Sequence, residues 1–254
     1  NSCRISSPRR SPSERPPEFI VLPPGTFVLI ISLYRLGAFF VNESGPFQQF
    51  TETNQAGSMR RQILNNRIKD FVMRPFRSLL FSPGIRPEMM EKAPRSGADG
   101  LIFDLEDSVP NDRRQEARGY VTEALKREGN PPVFVRANHP STGEMEKDLE
   151  AVVSDGLFGI ILPKVETPGD VKRMDMVLSD LEARAGLSPG RVVILPLLES
   201  CRGLHFTYEI VTASPRVQSM AFSSGEEGDF MVDIGGRWTP EGEVFLYPRS
   251  QLVC

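Results

Sequence analysis

Residues 100–107 read GLIFDLED, in which an apolar run at residues 100–105 leads into three acidic side chains within four positions. A short apolar run of this kind is typical of a buried β-strand. Five similar runs lie elsewhere in the chain, separated by stretches with helical periodicity. These runs are residues 78–82, 132–136, 159–162, 192–198 and 217–222. The alternation of short strands with longer helices predicts an α/β fold with a parallel sheet.

The helices between these strands carry recognisable start and stop signals. Residues 167–170 read TPGD, which places a Thr N-cap, a Pro at the first helical position and an acid at the third. Apolar residues then recur on one helical face until Gly186. A second helix is predicted over residues 117–125, before Gly129. Pro94 interrupts the helix expected after the first strand.

Repeated βα units form either an open doubly wound sheet or a closed barrel. An open dinucleotide-binding sheet has G-x-G-x-x-G after its first strand, whereas residues 83–87 read PGIRP. Polar side chains follow nearly every predicted strand, as they do at the mouth of a barrel. We therefore expect a TIM (β/α)8-type barrel, truncated after about six βα units because the chain ends at Cys254.

The N-terminal part of the chain has a different composition. Residues 1–76 carry ten Lys and Arg against five Asp and Glu, whereas residues 77–254 carry twenty against twenty-eight. Residues 4–17 are rich in Ser, Pro and Arg, which predicts disorder. We expect residues 1–72 to be a disordered or spurious extension, with an organelle-targeting leader as the alternative. Residues 73–254 then form the incomplete barrel domain.

Composition argues against several classes of protein. The uncharged run at residues 19–34 is short for a membrane span and is broken by Pro23-Pro24-Gly25, so we expect no membrane anchor. A net charge of −3 gives no basic surface for nucleic acid. Three widely separated cysteines form no disulfide framework, which favours a cytoplasmic location. Two histidines are too few for a multi-histidine zinc site, and neither His139 nor His205 is assigned a role.

Carboxylates at the strand ends form a candidate magnesium site. Glu199 follows the apolar run 192–198 and is either a metal ligand or base, or an acid that stabilises the next helix N-terminus. The loop at residues 223–229 (SSGEEGD) is either a second source of ligands or a solvated acidic turn. Two or three carboxylates that leave positions for water and substrate oxygens describe a Mg²⁺ site.

Arg136 follows another apolar run and is a candidate anchor for an anion. Its guanidinium either binds a substrate carboxylate or forms a structural ion pair with Asp104 or Glu106. The two interpretations are compatible, because a carboxylate can orient the arginine for its ligand. Lys164, at the next strand end, is either a Schiff-base lysine or an ion-pair partner.

Six segments of the chain form an ordered series of motifs. They are RSLLFSPGIRP (77–87), GADGLIFDLEDSVP (97–110), VFVRAN (133–138), GIILPKVETPGDV (159–171), ILPLLES (194–200) and GEEGDFMVDIG (225–235). This series resembles the citrate lyase β-subunit and malyl-CoA lyase branch of the HpcH/HpaI aldolase superfamily. The resemblance runs from Arg77 to the end of the chain, and it is specific for the superfamily but not for a substrate.

The resemblance implies a TIM barrel that binds Mg²⁺ and forms or cleaves a carbon–carbon bond between an acyl thioester and a small 2-oxo acid. The substrate would be a 3-hydroxyacyl thioester such as citryl-, malyl- or citramalyl-CoA, carried on CoA or an acyl-carrier protein. The protein would be a homo-oligomer, either a trimer or a hexamer.

The resemblance also implies roles for particular residues. Glu199 and Asp229 would be the metal ligands and, with Arg136, the catalytic residues. Arg136, Arg77 and Gly228 would bind the substrate. Around them would lie Asp104, Glu106, Asp107 and Lys164, and the CoA arm would meet the loop of Ser82, Pro83, Gly84 and Arg86.

Two features depart from the family pattern. Residues 222–229 form a longer segment than the usual Gly-x-x-Asp loop. This branch also takes an acid/base carboxylate from a C-terminal segment of a neighbouring subunit, and the present chain ends before such a segment. The alternative hypothesis is therefore a catalytically silent, lyase-like binding subunit. A lyase for free 2-oxo acids fits less well, because that branch uses a histidine base and no strand-end histidine is suitably placed.

Overall fold

Among the described residues, seven strands form one sheet and lie side by side in the order in which they occur along the chain. The structure is a computed structural model that describes residues 28–29, 76, 78–226, 228–239 and 241–253. Strand β1 pairs antiparallel with β2, and strands β2 to β7 are parallel to one another. The strands are β1 (Val28–Leu29), β2 (Leu79–Pro83), β3 (Gly100–Asp104), β4 (Val133–Arg136), β5 (Gly159–Leu162), β6 (Val193–Leu198) and β7 (Ala221–Phe222).

Helices connect the parallel strands. The α-helices are α1 (Pro87–Lys92), α2 (Arg114–Leu125), α3 (Met145–Val152), α4 (Pro168–Arg184), α5 (Cys201–His205), α6 (Thr207–Val211), α7 (Asp229–Asp233) and α8 (Leu246–Val253). Single 3-10 turns lie at Ala93–Ser96, Asn111–Arg113, Pro140–Thr142 and Glu243–Phe245.

The two faces of the sheet belong to different hydrophobic clusters, because alternate residues of a strand point to opposite sides. Phe103 and Val135 belong to the cluster that packs against the helices. On the other face, Phe76, Phe134 and Phe158 pack edge to face, with ring centroids 5.1 to 5.7 Å apart. When a parallel sheet curls into a barrel, this second face becomes the interior.

The parallel α/β sheet is confirmed, and its six parallel strands form the curled half of a TIM-like barrel. The first five of these strands begin and end within one residue of their predicted bounds. The prediction for the last strand, residues 217–222, was wrong in its extent. Only Ala221–Phe222 is a strand, and Val217 makes a single bridge to Ile194.

Ion pairs, more than sheet hydrogen bonds, hold the segment before β7. Arg216 is buried, and its Nη1 and Nη2 each lie 2.7 Å from an oxygen of Glu182 in α4. Its Nε lies 2.5 Å from Asp175 Oδ1 in the same helix. This cluster fixes the segment against α4, and the regular strand begins only after it.

The predicted start of the helix at residues 167–170 and the interruption at Pro94 are confirmed. Asp170 Oδ2 accepts a hydrogen bond from the Thr167 N–H at 2.8 Å and completes a capping box, with Pro168 as the first helical residue. Helix α1 ends at Lys92, and Pro94 lies in the 3-10 turn that follows.

Most of the N-terminal extension lies outside the described residues. Of residues 1–72, the structure describes only β1, in which Val28 pairs with Leu80 and Leu29 with Leu79. The division into a 1–72 extension and a 73–254 domain therefore stays a prediction. In the part of the chain that the structure describes, no helix has the length and apolar character needed to cross a bilayer.

Gly159→Ala is expected to destabilise the fold. A Cβ at this position would lie 2.5 Å from Val193 Cγ2 and 2.9 Å from Phe134 Cε1, so interior side chains would have to shift. We expect the free energy of unfolding to fall by roughly 1–3 kcal/mol in urea denaturation. Gly119→Ala, in α2 with open space around it, should instead raise that free energy by up to about 1 kcal/mol. A loss of the same size in both variants would contradict the described packing of the interior.

Candidate functional site

Two side chains at the carboxyl ends of adjacent strands point toward the interior. Ile102 and Phe134 are interior residues of β3 and β4. Asp104 and Arg136 lie two positions further along these strands and are partners in register. The strand period therefore places a carboxylate and a guanidinium on the same face, at the edge where barrels build their active sites.

A bidentate ion pair joins Arg136 to Asp104. Arg136 Nε lies 2.6 Å from Asp104 Oδ1, and Nη2 lies 2.8 Å from Oδ2. The backbone N–H groups of Glu106 and Ser108 donate to the same carboxylate, and the guanidinium carbon lies 5.2 Å from the centroid of the Phe81 ring. Burial raises the pKa of Asp104, but hydrogen bonds and the charge of Arg136 outweigh it and hold the pKa below its usual value. Asp104 thus stays ionised and fixes the guanidinium.

The remaining nitrogen of this guanidinium makes longer contacts than the other two. Arg136 Nη1 lies 3.2 Å from Glu106 Oε2 and 3.3 Å from Asp107 Oδ2, both longer than the contacts to Asp104. The side chain of Asp107 is 57% exposed and can turn into solvent. The structural ion pair that the sequence allowed is therefore present, and Nη1 retains only contacts that a substrate carboxylate could replace.

Lys164 connects three acidic side chains. Its Nζ lies 2.5 Å from Glu106, 3.2 Å from Asp107 and 3.2 Å from Asp229. Burial lowers the pKa of Lys164, but the hydrogen bond and charge of Glu106 and the charge of Asp107 outweigh it and raise the pKa above its ordinary value. A Schiff-base lysine needs a neutral amine, so the geometry fits the ion-pair interpretation of Lys164.

The backbone of Lys164 contributes to the site as well. With φ at 51°, it is the only non-glycine residue among those described that adopts a positive φ. Its N–H donates to Glu199 Oε2 at 2.9 Å. A non-glycine residue in this region costs of order 1 kcal/mol or more, and such strain is common at functional sites. Here the strained backbone directs an N–H at a candidate metal ligand.

The carboxyl group of Glu106 has a pKa close to neutral pH. Burial raises its pKa to about 7, although the charge of Arg136 and the hydrogen bond from Lys164 lower it. Its Oε2 lies 3.2 Å from Arg136 Nη1 but has no hydrogen-bond partner within the described residues, because that contact lacks hydrogen-bond geometry.

Glu199 and Asp229 offer the carboxylate oxygens that a hard cation prefers. Glu199 is 6% exposed at the end of β6, and burial raises its pKa, with a smaller contribution from the charge of Asp229. Asp229 begins α7 and faces the Lys164 ammonium. The described residues contain no group of three or more His, Cys, Asp or Glu that could hold a metal. This donor set still fits Mg²⁺, which commonly binds through one or two carboxylates and keeps several waters.

Two further residues, Arg77 and Gly228, were predicted to bind substrate. Arg77 lies outside the described residues. Gly228 precedes α7, where a Cβ would lie 2.7 Å from Ser223 Oγ, so this position has no room for a side chain unless the serine moves.

The predicted CoA loop packs closely on β3. Gly84 donates to Asp104 O at 2.8 Å, and a Cβ at Gly84 would lie 2.6 Å from that oxygen. Ser82 is buried, and Pro83 pairs in register with Asp104. The Arg86 guanidinium is exposed, and its Nε lies 2.6 Å from Glu88 Oε1. The loop therefore presents backbone and one exposed cation.

Two contacts at the site were missed in the sequence. Phe81 packs on Arg136, and its interior position two residues after Leu79 is the only signal that could have indicated this. Asp148 of α3 is fully buried, and its Oδ2 accepts a hydrogen bond from the Asn138 N–H at 2.7 Å. No local pattern marks this acid, because its partner lies in a different part of the chain.

A model of the HpcH/HpaI aldolase/citrate lyase family matches residues 77–254. The chain belongs to this family. The match covers β2 to β7 and all the site residues described above, and it confirms the family expected from the six motifs.

Two curated relatives are lyases. The citrate lyase subunit beta of Leuconostoc mesenteroides subsp. cremoris is 33% identical over 179 residues, covering 70% of this chain and 58% of the relative. The L-malyl-CoA/beta-methylmalyl-CoA lyase of Rhodobacter capsulatus is 35% identical over 164 residues, covering 63% of this chain and 50% of the relative. The matched part of the chain thus spans little more than half the length of these relatives.

A solved structure shares the fold. The citrate lyase beta subunit of M. tuberculosis, complexed with oxaloacetate and magnesium, aligns with a TM-score of 0.53 at 27% identity. The alignment covers 68% of this chain and 70% of that chain. This likeness agrees with the half-barrel architecture of β2 to β7.

Glu106→Gln is expected to remove a pH dependence from the stability of the protein. With a pKa raised from 4.5 to about 7, Glu106 in the folded protein keeps a proton that the unfolded chain has already released between these pH values. The free energy of unfolding therefore falls as pH rises through this window. Urea denaturation at several pH values should show a smaller fall for Glu106→Gln than for the wild type.

Glu150→Gln is the control for this measurement, because the Glu150 side chain is 59% exposed. It should keep the wild-type slope of stability against pH. A wild-type slope in Glu106→Gln as well would show that the carboxyl of Glu106 titrates in its ordinary range.

Proposed function

We propose that the protein is a Mg²⁺-dependent carbon–carbon lyase. It would act on a 3-hydroxyacyl thioester such as citryl-, malyl- or citramalyl-CoA and release an acyl thioester and a 2-oxo acid. The observation that carries this proposal is that a guanidinium and two carboxylates lie at the carboxyl ends of neighbouring parallel strands, where a barrel has its mouth. Arg136 ends β4, Glu199 follows β6 and Asp229 begins α7. Membership of a family with lyase relatives supports it.

Different residues at the mouth would bind the oxo acid and the metal. Arg136 would hold the carboxylate of the oxo acid through Nη1, since Nε and Nη2 are fixed by Asp104. Glu199 and Asp229 would hold Mg²⁺, which when bound polarises a carbonyl and stabilises negative charge on its oxygen. Lys164 would keep both ligands in place, through its N–H on Glu199 and its ammonium on Asp229.

The thioester would approach over the loop that follows β2. Ser82, Pro83 and Gly84 would offer backbone groups, and the exposed Arg86 would attract the phosphate groups of CoA or of an acyl-carrier protein arm. Gly228 and Arg77 would complete the contacts to the substrate. The name of the Rhodobacter relative, a malyl-CoA lyase, supports a CoA thioester as substrate.

The setting of the enzyme is part of the proposal. We expect a cytoplasmic homo-oligomer, a trimer or a hexamer, with no nucleic-acid or membrane partner. The net charge of −3 supports the absence of a nucleic-acid partner.

A catalytically silent binding subunit is the second candidate. At the described mouth, Asp104 is bound to Arg136, and Glu106 is bound to Lys164. With Glu199 and Asp229 assigned to the metal, these carboxylates leave no obvious base. The two candidates predict the same binding and differ in turnover.

Calorimetric titration of Mg²⁺ into the full chain, with glyoxylate, pyruvate or oxaloacetate present, tests the site. The wild type should bind the oxo acid only when Mg²⁺ is present. Glu199→Gln should weaken this metal-dependent binding by at least about tenfold, because one of two charged ligands becomes neutral. Asp229→Asn should have a similar effect for the same reason.

Asp233→Asn is the matched control, since Asp233 lies one turn further along α7 and accepts the Cys201 N–H at 2.7 Å. It should bind like the wild type. Unchanged binding in Glu199→Gln would remove Glu199 as a ligand, and a folded wild type that binds no oxo acid with Mg²⁺ would overturn the proposal. Binding without cleavage of malyl-CoA or citryl-CoA would favour the silent subunit.

A further inference from the structure

A polar pocket of about 360 Å³ opens beside the candidate metal site. It lies between the loops that follow β3 and β4. Glu106, Asp107 and Lys164 form the wall that it shares with the metal site. The other wall consists of Val109, Asn111, Arg114, Asn138, His139, Ser141 and Thr142.

Residues that line this pocket carry most of the buried hydrogen-bonding atoms that have no partner among the described residues. Five buried side-chain nitrogen or oxygen atoms have no hydrogen-bond partner in the part of the chain that the structure describes. Four of them belong to residues that line the pocket: Glu106 Oε2, Arg114 Nε, Asn138 Oδ1 and His139 Nε2. Buried polar groups are nearly always paired, so such a concentration marks a place where a ligand supplies the partners.

The acceptor of Asn138 is fixed in direction. Asn138 is fully buried, and its Nδ2 donates to Leu105 O at 2.9 Å and to Asp148 Oδ2 at 2.8 Å. Asp148 in turn is held by the Arg118 guanidinium, whose Nε lies 2.8 Å away. Both partners of Nδ2 are acceptors, so the nitrogen and oxygen of the Asn138 amide cannot exchange places. Oδ1 therefore remains an acceptor.

The nitrogen of His139 is a donor. Its Nδ1 accepts a hydrogen bond from the Ser141 N–H at 3.3 Å, so in the neutral ring the proton is on Nε2. Burial lowers the pKa of His139, which keeps the ring neutral at pH 7. Arg114 Nε also carries a proton, because guanidinium groups are always protonated in proteins. With Glu106 ionised, the four unpartnered atoms comprise two donors and two acceptors.

We propose that this pocket binds a neutral group that both donates and accepts hydrogen bonds, an amide or a hydroxyl, carried by the thioester substrate. The amide N–H or the hydroxyl proton would meet Asn138 or Glu106, and the oxygen would meet His139 or Arg114. A carboxylate fits less well, because it would place its oxygens against Asn138 Oδ1 and near the acids Glu106 and Asp107. The assignment of the ligand to a thioester rests on the proposed function.

Two parts of such a substrate could supply the group. One is the arm that carries the thioester, which contains secondary amides, and the other is a hydroxyl on the acyl chain. The pocket shares a wall with the metal site, so either part is within reach of it. The same hydrogen-bonding groups would recognise the amide and the hydroxyl, and two matched pairs of probes distinguish between these two sources.

The first probe pair is S-acetyl-N-acetylcysteamine and its ester analogue, in which oxygen replaces the amide N–H. Binding to the full-length chain is measured by NMR titration without Mg²⁺. The wild type should bind the amide roughly three- to tenfold more tightly, the range expected for one buried hydrogen bond. The second pair, S-3-hydroxybutanoyl and S-butanoyl forms of the ester analogue, reports in the same way on an acyl hydroxyl.

Arg114→Met and His139→Phe remove donors that would meet the oxygen of the bound group. They should therefore weaken binding of the amide and its ester analogue alike, or lower the preference for the hydroxyl, whichever group the wild type binds. Arg113→Met and His205→Phe are the matched controls and should bind the probes like the wild type, since both residues are exposed and neither lines the pocket. A preference for neither the amide nor the hydroxyl in the wild type overturns the proposal. So does wild-type binding of the probes by Arg114→Met, whose fold should be intact because Arg114 Nε makes no hydrogen bond within the described residues.

Glu199→Gln separates this proposal from the proposed function. It should lose Mg²⁺-dependent binding of the oxo acid but keep the preference for the amide or the hydroxyl. If the wild type fails to bind Mg²⁺ and oxo acid but shows the preference, and Arg114→Met binds the preferred probe more weakly, the proposed pocket is supported and the proposed lyase function is contradicted. Mg²⁺-dependent binding of the oxo acid without the preference would support the proposed lyase function and contradict the proposed ligand of the pocket.

Discussion

The buried ion pair between Arg136 and Asp104 organises the mouth of the half-barrel. Its carboxylate also accepts the backbone N–H groups of Glu106 and Ser108, so the loop after β3 is fixed to the end of β4. This sets the positions of Glu106 and Asp107, which in turn bind the ammonium of Lys164. A buried guanidinium whose partner was removed would keep its charge without compensation, which makes this pair costly to disrupt.

Lys164 connects this ion-pair network to the candidate metal ligands. Its N–H fixes Glu199, and its Nζ contacts Asp229. The mouth carries more acid than base: Asp104, Glu106, Asp107, Glu199 and Asp229 face the two cations Arg136 and Lys164. Such an excess of negative charge is relieved by a cation or by a proton. Burial, with a smaller contribution from the charge of Asp107, raises the pKa of Glu106, whereas the proposed Mg²⁺ would offset the charges of Glu199 and Asp229.

The sequence predicted the elements more reliably than their partners. Apolar runs located five of the six parallel strands within one residue, and the TPGD signal located the start of α4. The last strand was predicted too long, because the ion cluster of Arg216 with α4 holds its first half and has no local signature. For Arg136 the sequence allowed a ligand or an ion pair, and the register of β3 and β4 was needed to show that Asp104 is its partner.

By itself, the sequence determined the family, the parallel α/β sheet and the set of polar residues at the strand ends. It could do so because the period of a strand and the order of motifs are local properties of the chain. Only the tertiary structure decided which of these residues meet. It placed Phe81 on Arg136, bent the backbone of Lys164 toward Glu199, and gathered the unpartnered atoms of Arg114, Asn138 and His139 around one pocket. Those contacts join separate loops, and their distances follow from packing, which no local pattern records.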